Sequence, residues 1–234
     1  MAAGLKGNEA VAPPCLCRSP TGLGRMWRLC VKPGFWYTLT AMIDPLPQTL
    51  AGRTVLLGVS GSIAAYKACE LVRECTKRGA DVHVLMTANA AAFVTPLTFQ
   101  TLSRNPVTQG LYDQIEEWKP GHIALSDRGD VLCVAPATAN VIAKLACGLA
   151  DDALTSVALA YGGPLVIAPA MNSGMYTHPA TRANLAVLRQ RGAVIVEPEH
   201  GELACGTTGA GRLAPVAAIL AAVEQAVAAQ PRTA

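Results

Sequence analysis

The sequence predicts an α/β fold: a doubly wound parallel sheet of five or six strands, of the flavodoxin-like or Rossmann-like kind. Three observations support it. The 234-residue chain is 51% hydrophobic but only 5% aromatic, which favours small, closely packed helix-on-sheet layers. From residue 51 onward, strand-like apolar runs alternate with helix-like runs. Small polar residues beside glycine and proline recur where the strand-like runs end, and ligands bind at those ends in such sheets.

β-Branched residues and leucine dominate five short apolar runs, which is typical of strands buried on both faces. These predicted strands are Arg53–Val59, Val82–Met86, Asp130–Ala135, Leu165–Ala168 and Val194–Val196. Because a helical segment follows each of them, the strands are expected to run parallel, joined by right-handed crossovers.

Helices are predicted between the strands from apolar residues that recur every three or four positions. The first ends at Gly79, a typical helix-terminating residue, and is indicated by Ala64, Ala68, Leu71, Val72 and Cys75. The later ones are Thr87–Ser103, broken near Pro96, a short helix from Gly121 after a loop to Pro120, Ala139–Tyr161 in two pieces, Pro179–Arg191 closed by Gly192, and Pro215–Ala229.

Residues 1–50 differ from the rest of the chain and are predicted to form an irregular or disordered prefix before a single domain, residues 51–234. They hold six of the 16 prolines, and five basic against two acidic side chains, so the whole net charge of +3 lies in them. Two other interpretations stay open: a transit peptide, or an artefact of a gene start placed upstream of Met42.

Composition also limits the partners. Residues 51–234 are electrically neutral overall, which predicts neither nucleic-acid nor anionic-membrane binding. No apolar run reaches the roughly 20 residues that a membrane-spanning helix needs. The eight cysteines are scattered and lack zinc-site spacing, so no metal site is expected and a reduced, cytoplasmic chain is predicted.

The segments that follow the predicted strands indicate one shared pocket. They are Gly58–Ser62, Met86–Asn89, Ala135–Asn140, Ala168–Asn172 and Glu197–Gly201. The first is a Gly/Ser turn that opens a helix, which presents backbone N–H groups and hydroxyls to a phosphate. It lacks the lysine of a Walker loop and the G-x-G-x-x-G of a dinucleotide site, so a mononucleotide such as FMN fits better. Ordinary loop and capping roles are the competing explanation for any single segment.

Four motifs then occur in order between residues 51 and 215: Gly58–Lys67, His122–Leu125 leading to Ala135–Asn140, Pro169–Tyr176, and Ala204–Arg212. Together they resemble the flavin-dependent cysteine decarboxylases that act on 4′-phosphopantothenoyl-L-cysteine in coenzyme A biosynthesis. The resemblance implies FMN as cofactor. It also implies oxidation of the substrate's cysteine to a thioaldehyde, loss of CO₂ to give an ene-thiolate, and reduction to 4′-phosphopantetheine.

The resemblance assigns roles by position. His122 is the implied base for the substrate thiol, and Cys205 is the implied proton donor on a flap over the substrate. Asn172 is implied to hold the substrate carboxylate. The other implied substrate residues are Met171 and Met175, which shape the pocket, and Arg212, which binds the phosphate arm or anchors the flap. The implied FMN contacts are Ser60, Gly61 and Ser62 at the phosphate, Thr87 on the second strand, and Thr138, Ala139, Asn140 and Ala170 at the ribityl chain or ring.

Relatives of this kind form homotrimers or larger shells such as dodecamers, with FMN between subunits, so a homotrimer is expected. A separate phosphopantothenate–cysteine ligase is the other implied partner. Tyr176 stands where many relatives have Trp, and His178 and His200 receive no role. Three other functions stay open: a flavin prenyltransferase, a peptidyl-cysteine decarboxylase, and a non-catalytic FMN-binding regulator.

Overall fold

The computed structural model describes residues 28–32, 35–38, 47–111, 115–116, 119–204 and 206–230. The chain divides into two compact units, Met1–Pro45 and Leu46–Ala234. In the first unit, strands β1 (Arg28–Lys32) and β2 (Phe35–Thr38) pair antiparallel. No regular structure was expected here from the sequence. Both runs are nevertheless short and rich in strand-favouring residues, and Pro33-Gly34 separates them in the sequence.

The second unit is built on a parallel β-sheet. Its strands are β3 (Thr54–Val59), β4 (Asp81–Met86), β5 (Ile115–Glu116), β6 (Lys119–Pro120), β7 (Val131–Ala137), β8 (Leu165–Pro169), β9 (Val194–Ile195), β10 (Glu199–Glu202) and β11 (Thr208–Arg212). Five of them form the parallel sheet, in the order β4-β3-β7-β8-β9. Thr108 adds a single-residue bridge beside β4, where a sixth strand would lie.

Helices cover both faces of this sheet. They are α1 (Ala65–Lys77), α2 (Pro96–Ser103), α3 (Gly121–Arg128), α4 (Ala139–Cys147), α5 (Ala153–Ala160), α6 (Ser173–Thr177), α7 (Pro179–Gln190) and α8 (Val216–Ala228), with a 3-10 helix at Ala88–Ala92. One buried core joins the sheet to α1, α2 and α8, and the other joins it to α3, α4, α5 and α7. The predicted doubly wound α/β fold is therefore confirmed. Within the described ranges, no helix is long and apolar enough to cross a membrane.

Three elements were missed from the sequence. The β5–β6 pair lies where only a loop was expected, and α6 precedes the predicted helix at Pro179. The β10–β11 hairpin occupies the segment in which the resemblance implied a flap over the substrate. Short strands held mainly by backbone hydrogen bonds have no sustained apolar alternation, so the periodicity of the sequence does not reveal them.

Residues 47–50 belong to the second unit. Leu50 is fully buried in the core on the α1 face, and its N–H donates to the Arg78 carbonyl at 3.1 Å. Thr49 Oγ1 donates to Glu224 Oε1 on α8 at 2.5 Å. Through these contacts with Arg78, directly after α1, and with α8, residues 47–50 pack with the second unit.

Candidate functional site

The carboxyl edge of the sheet has a topological switch point between β3 and β7. From β3 the chain passes to β4 on one side, while β7 lies on the other side, which is the arrangement that leaves a crevice at the carboxyl edge of such sheets. Ligands of doubly wound sheets bind in such crevices. Residues 60–62 form the first loop and residues 138–140 begin the second, so the structure brings these two predicted sets together.

Ser60 joins the two loops. Its Oγ donates to the Pro136 carbonyl at 2.7 Å and accepts from the Thr138 N–H at 3.0 Å. Its own N–H also donates to the Pro136 carbonyl, at 3.3 Å. Ser60 is 0% exposed, and its hydroxyl is bonded on both sides by backbone. These bonds support a positioning role for Ser60, and the accessible groups of this loop belong to its neighbours.

Gly61 and Ser62 form the accessible part of the first loop. Ser62 Oγ accepts from the Ala64 N–H at 3.3 Å, which orders the turn that leads into α1. A Cβ at Gly61 would lie 2.5 Å from Asn89 Cβ, in the segment that follows β4. The loops after β3 and β4 thus approach so closely that only glycine fits between them.

Thr87 follows β4 directly and carries a buried hydroxyl without a partner. Its N–H donates to the Val59 carbonyl at 3.1 Å, which holds the residue beside the end of β3. Oγ1 is buried, and no group in the described part of the chain bonds to it. Leaving a buried hydroxyl unsatisfied costs about 1–3 kcal/mol, so this atom indicates a ligand that completes the hydrogen bond.

The loop after β7 offers less side-chain chemistry than the sequence predicted. Thr138 caps α4, and its Oγ1 accepts from the Val141 N–H at 3.5 Å. Thr138 and Ala139 are half-buried, and Asn140 is exposed. These three residues are accessible at the crevice, and Asn140 contributes the amide side chain among them.

The loop after β8 carries the predicted substrate residues. The Ala170 N–H donates to the Ala137 carbonyl at 3.0 Å, so this loop is fixed to the end of β7. Asn172 is exposed and caps α6, its Oδ1 accepting a backbone N–H at 2.8 Å. Met171 is half-buried, whereas Met175 is 50% exposed. The loops after β4, β3, β7 and β8 therefore contact one another in that order along the carboxyl edge of the sheet.

The β10–β11 hairpin packs on the β8 loop through glycine backbone. The Met171 N–H donates to the Gly211 carbonyl at 2.9 Å. Gly211 has φ +132°, and a Cβ there would collide with the Met171 carbonyl, so both conformation and space require glycine. A Cβ at Gly209 would collide with Ser173 Oγ. The predicted flap is thus anchored at its base directly against the Asn172 segment.

Two predicted residues belong to this hairpin. Arg212 ends β11 with an exposed side chain, and its guanidinium lies over Gly201 on β10. Cys205 lies outside the described residues, between β10 and β11. Its role as proton donor stays a prediction.

His122 lies in the first turn of α3. The chain after α3 enters β7 at the amino edge of the sheet, where the Asp130 N–H donates to the Thr54 carbonyl at 2.9 Å. α3 therefore ends near the amino edge, and the position of His122 beside the crevice stays a prediction. The His122 Nδ1 is buried and has no partner among the described residues. An unsatisfied imidazole nitrogen of this kind is available to a ligand.

One residue that the sequence analysis missed is Ser173. Its Oγ is buried and unpartnered within the described chain, directly beside Asn172. A serine in the first turn of a helix is common, so its sequence carried no signal beyond capping. His178 caps α7 through Nδ1, which accepts from the Ala180 N–H at 3.2 Å, and His200 is exposed on β10.

The described cysteines and acids add no second chemical centre. Burial raises the pKa of Cys75 to about 12 and raises the pKa of Cys133 still further, so both thiols stay protonated and unreactive. In the described part of the chain, no group of three or more His, Cys, Asp or Glu side chains could hold a metal ion.

Comparison with known proteins matches residues 44–228 to the model of the flavoprotein family. The chain is 47% identical over 178 residues to the coenzyme A biosynthesis bifunctional protein CoaBC of Vibrio vulnificus strain YJ016, covering 76% of this chain and 44% of that protein. It spans less than half the length of the curated relatives it matches. The family recognised from the sequence motifs is confirmed.

Two solved structures are similar along almost their whole length. A PPC decarboxylase mutant complexed with pantothenoylaminoethenethiol has a TM-score of 0.66 and 32% identity, and the match covers 74% of this chain and 97% of that one. The FMN-dependent cysteine decarboxylase SpaF has a TM-score of 0.65 and 34% identity, over 76% of this chain and 97% of that one.

We predict that Gly61→Ala lowers the free energy of unfolding by about 1–3 kcal/mol, because the added methyl group must displace Asn89. Gly162→Ala is the matched control: it adds the same methyl where no atom lies within 4 Å. The control should change stability by less than about 0.5 kcal/mol. Urea denaturation followed by circular dichroism measures both variants. Equal stability of the two would contradict the close approach of the loops after β3 and β4.

Proposed function

Because the chain belongs to the flavoprotein family, we propose that it is an FMN-dependent decarboxylase that converts 4′-phosphopantothenoyl-L-cysteine to 4′-phosphopantetheine in coenzyme A biosynthesis. One observation carries the proposal: beside the switch point of the sheet, the buried Thr87 hydroxyl has no partner among the described residues. The names of the similar proteins support both parts, since SpaF is FMN-dependent and the PPC decarboxylase mutant holds a pantothenoyl thiol. The other three functions named above are not favoured.

The residues of the crevice fit FMN. Gly61 and Ser62 offer accessible backbone and a hydroxyl ahead of α1, which suits the phosphate. Thr87 Oγ1 requires a hydrogen-bond partner, and polar flavin atoms supply one. Residues 138–140 and Ala170 remain for the ribityl chain or ring. When bound, FMN supplies the reversible two-electron oxidation that turns the substrate's cysteine side chain into an electron sink.

The side chains proposed for catalysis move protons and hold the substrate. Nδ1 of His122 accepts the thiol proton, because this buried nitrogen has no partner within the described residues. Asn172 orients the substrate carboxylate with its amide nitrogen, a hydrogen-bond donor, since Oδ1 caps α6. Cleavage of the C–CO₂ bond leaves its electron pair on the conjugated carbon–sulfur unit. Cys205 then delivers a proton to carbon, and return of the two electrons removed in the oxidation, with one further proton, would give the thiol product.

A homotrimer is proposed because large apolar side chains are exposed around the crevice. Ile63 and Tyr66, at the start of α1, are 57% and 61% exposed. Phe93 and Leu97, after β4, are 48% and 69% exposed. Apolar groups clustered at a ligand site favour coverage by another subunit, as the resemblance implies for FMN.

A phosphopantothenate–cysteine ligase is proposed as the functional partner, because the substrate is the amide of cysteine with a phosphorylated pantothenate. The bifunctional name of the matched relatives supports a linked second activity. A cytoplasmic location is proposed because Cys69, Cys75, Cys133 and Cys147 are free thiols.

We predict that Thr87→Val weakens FMN binding about 5- to 20-fold, since the isosteric side chain lacks the hydroxyl that the flavin would bond. The flavin-free protein should lose no stability, because the hydroxyl bonds to no group in the described part of the chain. Thr98→Val, on the exposed part of α2, is the control and should bind FMN as the wild type does. Quenching of flavin fluorescence measures the dissociation constants, and equal affinities for both variants would contradict the assignment of Thr87.

We predict that the purified protein is yellow and releases CO₂ from 4′-phosphopantothenoyl-L-cysteine. Asn172→Asp should reduce kcat/KM at least about 100-fold, because Asp still caps α6 but repels the substrate carboxylate. His122→Asn and Cys205→Ser should reduce kcat by about 100-fold or more. His83→Asn is the control, since His83 lies near the amino edge on β4 and bonds Asp81. Full activity in Cys205→Ser would refute the proposed proton delivery.

Light scattering of the flavin-bound protein should give about three times the 24.3 kDa chain mass, or a multiple of the trimer. A monomer mass with flavin still bound would refute the proposed assembly. The expected result follows from the exposed apolar groups beside the crevice, which a second subunit would bury.

A further inference from the structure

The side chain of Glu197 joins α6 and α7 just outside the proposed catalytic residues. Its Oε2 accepts from the Tyr176 phenol at 2.5 Å, and its Oε1 accepts from the Arg189 guanidinium on α7. The Arg182 guanidinium also lies over the Tyr176 ring, 5.7 Å from its centre. Tyr176 is only 5% exposed, whereas the Glu197 side chain is 59% exposed. The carboxylate therefore fixes a buried ring from the surface.

A backbone hydrogen bond joins Tyr176 to Asn172, the residue proposed to hold the substrate carboxylate. The Tyr176 N–H donates to the Asn172 carbonyl at 3.0 Å, one helical turn away. α6 contains only five residues, so it has little rigidity of its own. The position of the Tyr176 ring therefore sets the position of the Asn172 backbone.

Glu197 lies on the segment that leads from β9 into the β10–β11 hairpin. The other strand of that hairpin, β11, reaches Met171 through the 2.9 Å bond to Gly211. The Asn172 segment is thus held on one side by β11 and on the other by Glu197 acting through Tyr176. Both attachments come from the two ends of the same hairpin.

We infer that Tyr176 and Glu197 are a pair of positioning residues for the decarboxylation, which hold Asn172 and the base of the hairpin in one fixed relation. This inference rests on the proposed function. Burial of the ring, together with the hydrogen bond to Glu197, raises the pKa of the Tyr176 phenol. The phenol therefore remains a donor at neutral and mildly alkaline pH. Neither side chain exchanges a proton with the substrate in this role.

A double-mutant cycle on the flavin-bound protein tests the pair. Tyr176→Phe removes only the phenol oxygen, and Glu197→Ala removes its acceptor together with the ion pair to Arg189. Each should raise KM about 5- to 10-fold while kcat changes less than about twofold, because substrate binding depends on Asn172. The double variant should lose no more than either single variant. Losses that multiply would show two independent residues and overturn the inference.

Thr177→Val is the matched control, since it also removes one hydroxyl from α6 but leaves the bond to Glu197 intact. It should keep the wild-type KM. An equal rise in KM for Thr177→Val and Tyr176→Phe would mean that any damage to α6 has this effect, which would overturn the inference. Flavin absorbance should be unchanged in all variants.

Amide hydrogen exchange tests the linkage between Tyr176 and the hairpin without an activity assay, so it still applies if the wild type releases no CO₂. In Tyr176→Phe, amides of residues 172–177 and 199–212 should exchange at least about fivefold faster than in Thr177→Val, while β7 stays unchanged. Unaltered exchange in these two segments would overturn the linkage itself, independently of any activity.

Discussion

The hydroxyl of Ser60 is the contact on which the rest of the crevice depends. Where β3 and β7 end, their parallel ladder stops and the backbone groups of the diverging loops need other partners. One buried oxygen provides them, since it donates to the Pro136 carbonyl and accepts from the Thr138 N–H. The two loops therefore leave the sheet at a fixed separation, and the accessible groups beside them are held in place before any ligand arrives.

From this contact the site extends along the sheet edge by backbone contacts. Toward β4, Asn89 packs closely against Gly61, and the Thr87 N–H donates to the Val59 carbonyl. Toward β8, the Ala170 N–H reaches the end of β7, and the hairpin then closes on the next residue through Gly211. Because these contacts are made by backbone groups, substitution of the exposed side chains would leave the crevice intact. The flavin side and the substrate side of the proposed site thus share one rigid frame.

The periodicity of apolar residues and the composition of the strand ends were enough to predict the parallel sheet, its helices and the edge that carries the site. The five sheet strands and their helices followed from buried runs such as Val131–Ala137, in which every residue is buried. The sequence could not show that the Ser60 hydroxyl bonds to backbone on both sides, or that the Ser173 hydroxyl is buried without a partner in the described chain. Leu50 also shows the limit: its burial against α1 depends on long-range packing, whereas composition alone placed it in the prefix. The flap was recognised by resemblance, but its pairing as a hairpin depends on backbone bonds.

The central claim is that a flavin occupies the switch-point crevice, positioned by loops that Ser60 holds without touching the ligand. A crystal structure of the protein with FMN tests it most directly. The account predicts the flavin at the carboxyl edge between the loops after β3 and β7, with Thr87 Oγ1 hydrogen-bonded to it and both Ser60 bonds unchanged. A flavin bound elsewhere, or one that bonds Ser60 Oγ in place of the Thr138 N–H, would contradict the account.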